Sequence, residues 1–347
     1  MVKTDIKSLN LSELENLIAE MGEPRFRASQ IFKWLQSGVE SFDEMTNISL
    51  KLRERLKENC YIASLKILRR LVSKIDGTVK YLYELNDGET IESVLMKYEH
   101  GYSLCISTLV GCRMGCSFCA TGLGGLIRDL TASEMLAQIT TAQRDQNIRV
   151  SNVVMMGMGE PLDNFESSVK FLELVSHPKG LNIGLRHISL STSGVVSGIE
   201  KLGEYNFPIT LSVSLHAPFD NIRSDMMRVN KKWNIDALLN ACREYQKKTT
   251  RRISFEYALI DGVNDTKECA DELARKLKGI MCHINLIPVN PVKENSNKSP
   301  TKTKIIKFKE WLTEKGLNAT VRRTLGADIN ASCGQLRRKE GGEADGS

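Results

Sequence analysis

The sequence predicts an α/β protein whose core is a partial, open (βα)6 barrel of the TIM-like kind, preceded by a small helical module and a β-meander. Three observations lead to this prediction. Helix signals fill residues 1–61, hairpin-turn dipeptides divide residues 62–98, and strand-like and helix-like segments alternate over residues 99–338. Residues 339–347 are rich in glycine and charge, and we expect this tail to be disordered.

The N-terminal module is predicted to contain three short helices. Ser12 followed by Glu15 has the spacing of a capping box and would open the first helix, which Gly22 ends. The spacing of apolar residues predicts the other two helices over 28–35 and 50–58.

The β-meander is predicted from two Asp-Gly pairs, which are typical of tight hairpin turns. These pairs begin at Asp76 and Asp87. They separate three strand-like segments over 65–72, 78–85 and 90–96.

In the core, six strand-like segments alternate with six amphipathic helical segments. The predicted strands span 103–109, 152–156, 187–191, 209–215, 252–260 and 283–288. The predicted helices span 132–144, 165–175, 195–203, 235–247, 267–277 and 302–315. Six βα units are too few to close an eight-stranded barrel. We therefore expect an open barrel with its functional residues at the carboxyl ends of the strands.

The composition is that of an ordinary globular chain. The 347 residues include 41% hydrophobic and 26% charged side chains, and the net charge is +6. No apolar run approaches the ~18 residues of a membrane span, and the N-terminus lacks an apolar signal core. We therefore expect a cytoplasmic protein without a membrane partner, and we expect a monomer. The positive charge permits a nucleic-acid partner but is equally typical of a surface with surplus lysine.

Cys112, Cys116 and Cys119 follow the first predicted barrel strand as a Cys-x3-Cys-x2-Cys motif. Three thiolates in this arrangement can bind three irons of a 4Fe-4S cluster and leave the fourth iron open. The open iron can chelate S-adenosylmethionine (SAM), whose cleavage yields an adenosyl radical. The motif could instead be three unrelated thiols or a zinc site, for which the sequence places no fourth ligand. The motif therefore predicts a radical SAM enzyme and a barrel of the radical SAM type.

A glycine-rich turn after the second predicted strand begins a predicted SAM site. Gly159 permits close approach of a ligand to the backbone, and Glu160 can accept hydrogen bonds from an ammonium group. Polar residues after the third and fourth strands would face the same mouth, although each alone is more typical of a cap or a buried polar side chain. The full predicted set is Gly159, Glu160, Ser191, Ser214, Leu215, His216 and Asn290.

Several longer motifs resemble the RlmN family of adenosine C2-methyltransferases. They are CRMGCSFCATG from Cys112, MMGMGEPL from Met155, STSGVV from Ser191, SLHAP from Ser214, NLIPVNP from Asn285 and DINASCGQL from Asp328. The likeness begins at the N-terminal segment GEPRFRASQIFKWL and covers nearly the whole chain.

The resemblance implies an RNA substrate. In that family the target is an adenosine in the peptidyl-transferase centre of 23S rRNA (adenosine 2503) and, in some members, adenosine 37 of tRNAs. We expect the rRNA to be protein-free or at an early stage of assembly, and the reductant to be an electron donor such as flavodoxin. Basic clusters at 51–55, 247–252 and 322–323 are candidate phosphate contacts, although such runs are more often solvated surface.

The resemblance also assigns roles to three further residues. Cys333 is implied to be methylated by one SAM, and a second SAM then yields the radical that joins the methyl carbon to C2 of adenine. Glu92 is implied to accept the C2 proton. Cys105 is implied to attack Cys333, forming a disulfide that releases the product. From spacing alone, both cysteines would be buried bystanders and Glu92 a solvent-facing strand residue. Radical addition suits adenine C2, because this carbon is electron-poor and not nucleophilic.

The sequence leaves three functions open besides C2 methylation. A sister family, the Cfr type, methylates C8 of the same adenosine and shares these cysteines. Pro161 and Pro288 favour C2, because Cfr-like sequences usually have alanine and arginine at those positions. The chain could also be a non-catalytic RNA-binding assembly factor, or a zinc-binding RNA protein.

Overall fold

The computed structural model describes residues 3–290, 292 and 297–337. In chain order the strands are β1 (Thr4–Asp5), β2 (Cys60–Tyr61), β3 (Lys66–Val72), β4 (Val79–Glu84), β5 (Thr90–Tyr98), β6 (Gly101–Cys105), β7 (Leu109–Gly111), β8 (Leu126–Asp129), β9 (Val150–Met155), β10 (Ile188–Thr192), β11 (Thr210–Ser214), β12 (Ile253–Leu259), β13 (Cys282–Pro288) and β14 (Ala319–Val321). The helices are α1 (Leu11–Glu20), α2 (Phe26–Ser37), α3 (Leu50–Asn59), α4 (Ala132–Gln146), α5 (Phe165–Val175), α6 (Val196–Glu204), α7 (Asp220–Met226), α8 (Ile235–Thr249), α9 (Lys267–Leu277) and α10 (Lys302–Glu314). The predicted tail at 339–347 lies outside the described residues.

Ten strands form one mixed sheet in the order β14-β13-β12-β11-β10-β9-β6-β5-β4-β3. Neighbouring strands are parallel from β14 to β6. Within the described residues no pairing joins β14 to β3, so the barrel is open. The predicted partial (βα) barrel is therefore confirmed. Helices α4, α5, α6, α8, α9 and α10 lie where the helical periodicity predicts them.

The β-meander continues the barrel sheet. β5 pairs antiparallel with β6, with Val94 opposite Cys105 in the register. β4 and β3 extend the sheet further by antiparallel pairing. The strands at 66–105 therefore extend the parallel part of the sheet by an antiparallel part. The division of the chain into an RNA-recognising module, a linker and a core stays a prediction.

Four local features differ from the sequence-based expectation. The predicted capping box at Ser12 and Glu15 is wrong, because Asn10 and Glu13 form it two residues earlier, with reciprocal bonds of 2.9 and 2.7 Å. A seventh parallel strand, β14, has only three residues and no apolar run to reveal it. A β7–β8 hairpin frames the cysteine loop. Helix α7 follows β11 and is too short and polar for its periodicity to show.

No helix in the described part of the chain has both the length and the apolar character required to cross a membrane.

A buried amide fixes the chain just beyond β6. The Gln138 side chain on α4 donates to the Ser107 carbonyl at 2.9 Å and accepts from the Ser107 N–H at 2.8 Å. The Ser107 hydroxyl in turn donates to the Glu92 carbonyl at 2.6 Å and accepts from the Met158 N–H at 2.9 Å. Since Gln138 and Ser107 are fully buried, these bonds replace water and tie β5, β6 and the loop after β9 together.

We predict that Gln138→Leu lowers the free energy of unfolding by roughly 2–4 kcal/mol, because it leaves a buried N–H and a buried carbonyl of Ser107 without a partner. Urea denaturation measures the change. Gln30→Leu is the control, because the half-buried Gln30 bonds Arg27 on the same helix, and it should cost less than about 1 kcal/mol. An equal loss of unfolding free energy in the two variants would show that the bonds between Gln138 and Ser107 do not stabilise the fold in this way.

Candidate active site

The β7–β8 hairpin positions the cysteine loop. The Cys112 N–H donates to the Gly125 carbonyl at 2.8 Å, which closes the loop at its base. Gly111 has a φ of 81°, and a Cβ there would collide with the Gly125 carbonyl oxygen, so only glycine fits. Cys112, Cys116 and Cys119 lie within this closed loop.

The three cysteines share one cavity of about 140 Å³ at the carboxyl ends of the parallel strands. Burial raises the pKa of Cys112 to about 12 and raises that of Cys116 further, so without a ligand these groups are neutral thiols. Each must lose its proton on binding a metal. Three soft sulfur donors on one cavity wall fit an iron-sulfur cluster.

Within residues 3–290, 292 and 297–337, no three His, Cys, Asp or Glu side chains converge closely enough to hold a single metal ion.

Cys333 connects this cavity with a second one. Cys105 and Cys333 both line a cavity of about 40 Å³, and Cys333 also lines the larger cavity with Cys119. Cys105 is buried at the end of β6, whereas Cys333 is exposed to the cavities. Burial, with a smaller contribution from Cys333, raises the pKa of Cys105 to about 12. Desolvation by the surrounding protein also raises the pKa of Cys333, and the positive charge of Arg322 opposes this shift.

Arg322 is the one member of the predicted basic clusters described as lining both cavities. It follows β14, and its N–H donates to the Leu286 carbonyl at 2.8 Å. Its positive charge acts on both thiols and opposes the rise in the pKa of each, and the residue is only partly exposed. A cation in this position is available to an anionic group that enters either cavity.

Glu160 links the ends of two strands. Its carboxylate accepts from the Ser193 N–H at 2.6 Å and from the Leu162 N–H at 3.1 Å. Burial raises its pKa, and the bond from Ser193 opposes this shift. A carboxylate has lone pairs beyond these two bonds, so Glu160 can still accept from a ligand. It lines the larger cavity, as do Gly159, Ser191, Ser214 and Asn290.

His216 is held as a neutral acceptor. Its Nδ1 accepts from the Ala258 N–H at 2.9 Å, so the neutral ring carries its proton on Nε2. Burial lowers its pKa to about 3. The residue has a φ of 58°, and its ring packs edge-on against Phe118 at 4.9 Å between centroids. This strained turn directs the imidazole into the wall of the larger cavity.

Two predicted site residues lie apart from the described cavity linings. Leu215 is fully buried and lines neither cavity. Glu92 is also buried and lines neither. Its carboxylate forms an ion pair with Lys80 at 2.9 Å and accepts from the Arg337 N–H at 2.9 Å.

The sequence reasoning missed two buried charged residues of the site. Arg223 on α7 is fully buried and donates to the carbonyls of Leu215, Ser193 and Ser214 at 3.0, 2.7 and 3.0 Å. It thereby joins the ends of β10 and β11, and no motif signals it. Glu256 lines the larger cavity from β12 and accepts from Asn285 at 2.7 Å. A carboxylate within the apolar segment of β12 was a signal that could have revealed it.

Two family models match the chain. The one described as the ribosomal RNA large subunit methyltransferase N-terminal domain matches residues 4–62. The one described as the radical SAM superfamily matches residues 106–277.

Relatives match over nearly the full length. A probable dual-specificity RNA methyltransferase RlmN of Alkaliphilus oremlandii (strain OhILAs) is 54% identical over 339 residues, 98% of this chain and 99% of the relative. One of Clostridium novyi (strain NT) is 50% identical over 335 residues, 96% and 98% of the two chains. The crystal structure of a radical SAM methyltransferase from Sphaerobacter thermophilus has a TM-score of 0.92 and 43% identity, covering 96% of this chain and 99% of that one.

The fold, the cysteine loop and these matches define a radical SAM enzyme, whose cofactors are a 4Fe-4S cluster and SAM. The N-terminal match and the full-length relatives narrow the class further. The chain belongs to the RlmN family of RNA methyltransferases.

We predict that His216 makes folding stability depend on pH. The unfolded chain protonates this ring below about 6.5, whereas the folded chain does so only near 3. Between these two pKa values the unfolded state binds more protons than the folded state. The stability that the neutral His216 ring contributes is therefore fully present above pH 6.5. As the pH falls below that value, the free energy of unfolding decreases by up to roughly 1.4 kcal/mol per pH unit. In urea unfolding measured between pH 7.5 and 5, the free energy of unfolding of His216→Asn should depend less steeply on pH than that of wild type.

The control for this prediction is His100→Asn, because His100 is exposed. This variant should keep the wild-type slope. A His216→Asn slope equal to that of wild type would show that the ring is not held neutral by burial.

Proposed function

We propose that the protein methylates C2 of an adenosine in the peptidyl-transferase centre of 23S rRNA and of adenosine 37 in tRNAs, in the cytoplasm. Cys333 would carry the methyl group, and each turnover would use two SAM molecules. The observation that supports this most directly is that Cys333 lines both the cavity of the three cluster cysteines and the cavity of Cys105. A residue that carries the methyl group must reach the cofactors, which the cluster cysteines would hold, and must also reach Cys105.

The larger cavity would hold the cofactors. Cys112, Cys116 and Cys119 would bind the cluster, and Glu160 would accept a hydrogen bond from the amino group of SAM. Ser191, Ser214, His216 and Asn290 would line the remainder, while Leu215 would support the wall from behind.

The proposed chemistry uses three residues of the chain in turn. The Cys333 thiolate takes a methyl group from the first SAM and releases S-adenosylhomocysteine. When bound, the cluster and a second SAM supply the radical that removes one hydrogen atom from that methyl group. The Cys333-bound carbon would then bond to C2, and the C2 proton would pass to Glu92, the role that the resemblance implies for this residue. The one electron that the adduct must lose would return to the oxidised cluster. The Cys105 thiol loses its proton and attacks the Cys333 sulfur, which forms a disulfide and breaks the bond from Cys333 to the methylene carbon. That carbon leaves with the base and takes up a proton to become the methyl group.

The position of Pro288 supports C2 over C8 as the target. Pro288 ends β13 and lines the cavity that contains Cys105 and Cys333. Cfr-like sequences usually carry arginine there, which would add length and charge beside both thiols. Pro288 is apolar and compact, so it leaves more room for the adenine base beside the two thiols than an arginine would.

RNA is the proposed partner, and no membrane is involved. We propose protein-free or early-assembly rRNA as the substrate, because the target adenosine lies deep in the finished subunit. The target base must also leave its stack to reach the cavity. An electron donor such as flavodoxin would reduce the cluster, and the protein would act as a monomer.

The test is anaerobic incubation of the iron-reconstituted protein with SAM, reductant and unmethylated rRNA or tRNA, followed by nucleoside mass spectrometry. We expect 2-methyladenosine from wild type and none from Cys333→Ala, which should still bind RNA. Cys282→Ala is the matched control, because Cys282 lies on β13 outside both cavities, and it should retain activity.

Two outcomes would overturn the proposal. 8-Methyladenosine as the product would identify the Cfr-type reaction. Full activity of Cys333→Ala would show that another group carries the methyl.

A further inference from the structure

Residues 325–337, here called the Cys333 segment, lie between two supports. On the cluster side, the Ala120 N–H donates to the Gly334 carbonyl at 2.8 Å. The Thr121 hydroxyl donates to the Leu336 carbonyl at 2.6 Å. These bonds join the segment directly to the loop of the cluster cysteines.

On the other side, the segment is attached to the first hairpin of the β-meander. The Asp328 carboxylate accepts from the Ser73 hydroxyl at 2.7 Å and from the Lys74 N–H at 2.9 Å. The Gly326 N–H donates to the Asp76 carboxylate at 2.9 Å. These contacts hold the beginning of the segment at the surface of the sheet.

A buried ion pair reaches both halves of the segment. Lys80 Nζ lies 2.9 Å from Glu92 Oε1, and the two side chains are only 8% and 2% exposed. Lys80 also donates to the Asn330 carbonyl at 3.1 Å, three residues before Cys333. The Glu92 Oε2 atom accepts from the Arg337 N–H at 2.9 Å, four residues after Cys333. One pair of neighbouring strands thus holds the chain on each side of the reactive thiol.

We propose that Lys80 is a positioning residue for methyl transfer: with Glu92 it forms a latch that holds Cys333 against the cluster cavity. This inference rests on the proposed function for the role of Cys333. A buried ion pair loses much of its attraction to the cost of desolvation, so an apolar pair would serve the sheet as well. An apolar pair could not donate to the Asn330 carbonyl or accept from the Arg337 N–H, and these are the bonds that reach the segment.

The test compares Lys80→Met and wild-type holoenzyme by hydrogen exchange with mass spectrometry. We expect exchange in the peptides covering 325–337 to accelerate by about tenfold or more, with the rest of the chain and the cluster absorbance unchanged. In the methylation assay kcat should fall by about tenfold or more, with little change in KM for RNA. Lys80→Arg keeps the charge and the donors, so its exchange at 325–337 and its kcat should both lie close to the wild-type values.

Lys66→Met is the matched control. Lys66 pairs with Glu84 at 3.0 Å across the neighbouring β3–β4 ladder of the same sheet, but its side chain is 73% exposed and that of Glu84 is 34% exposed. Such an exposed pair contributes little, so this variant should match wild type in exchange and in kcat.

Unchanged exchange at 325–337 in Lys80→Met would overturn the latch, and so would acceleration spread over the whole chain. Should Lys80→Met not fold, the isosteric Glu92→Gln gives the same test, because it too should accelerate exchange at 325–337. The exchange measurement needs no RNA. A wild-type enzyme that forms no 2-methyladenosine would therefore overturn the proposed function and leave the latch to be decided by exchange alone.

Discussion

The site depends on the attachment of the Cys333 segment to the cysteine loop. Two hydrogen bonds, from Ala120 to Gly334 and from Thr121 to Leu336, bring a thiol near the C-terminus to the cavity of Cys112, Cys116 and Cys119. Thr121 and Leu336 are 215 residues apart in the sequence, so this contact depends on the tertiary fold. The contact places one sulfur where two cavities meet.

The β-meander has a structural reason to lie beside the barrel. By pairing with β6 it carries Lys80, Glu92 and the first hairpin to the face where the Cys333 segment lies. The ends of the parallel strands line the larger cavity, whereas the antiparallel strands hold the Cys333 segment. The parallel and the antiparallel strands therefore each contribute a different part of the candidate site.

Buried polar groups fix the strand ends from within. Arg223 collects the carbonyls at the ends of β10 and β11, and Glu160 bonds the backbone after each of β9 and β10. Each buried charge is satisfied by several hydrogen bonds, so that its desolvation is compensated. These bonds within the protein hold the strand ends that form the cavity wall. Such preorganisation is what the orientation of a reactive intermediate requires.

Much of this could be predicted from the sequence, because hydrophobic periodicity and turn dipeptides are local signals. They predicted the partial barrel and the meander strands, and the cysteine spacing predicted the cluster loop. What they could not show depends on contacts between distant residues. The pairing of Lys80 with Glu92, the hub at Arg223 and the carboxylate of Glu256 in the cavity wall all arise only when strands meet. The capping box lies two residues earlier than the sequence predicts, because Ser12-Glu15 and Asn10-Glu13 have the same spacing.

Cys105 and Cys333 illustrate the same limit within the candidate site. Spacing alone left both as bystanders, and only the resemblance gave them roles. The structure shows that the two cysteines line one cavity together with Arg322.

The most direct test of the central claim is the mass spectrum of the Cys333-containing peptide from protein purified with SAM and without RNA. The account predicts one methyl group on the Cys333 sulfur, and its loss when unmethylated RNA and reductant are added. An unmodified Cys333 in a preparation that still forms 2-methyladenosine would contradict it.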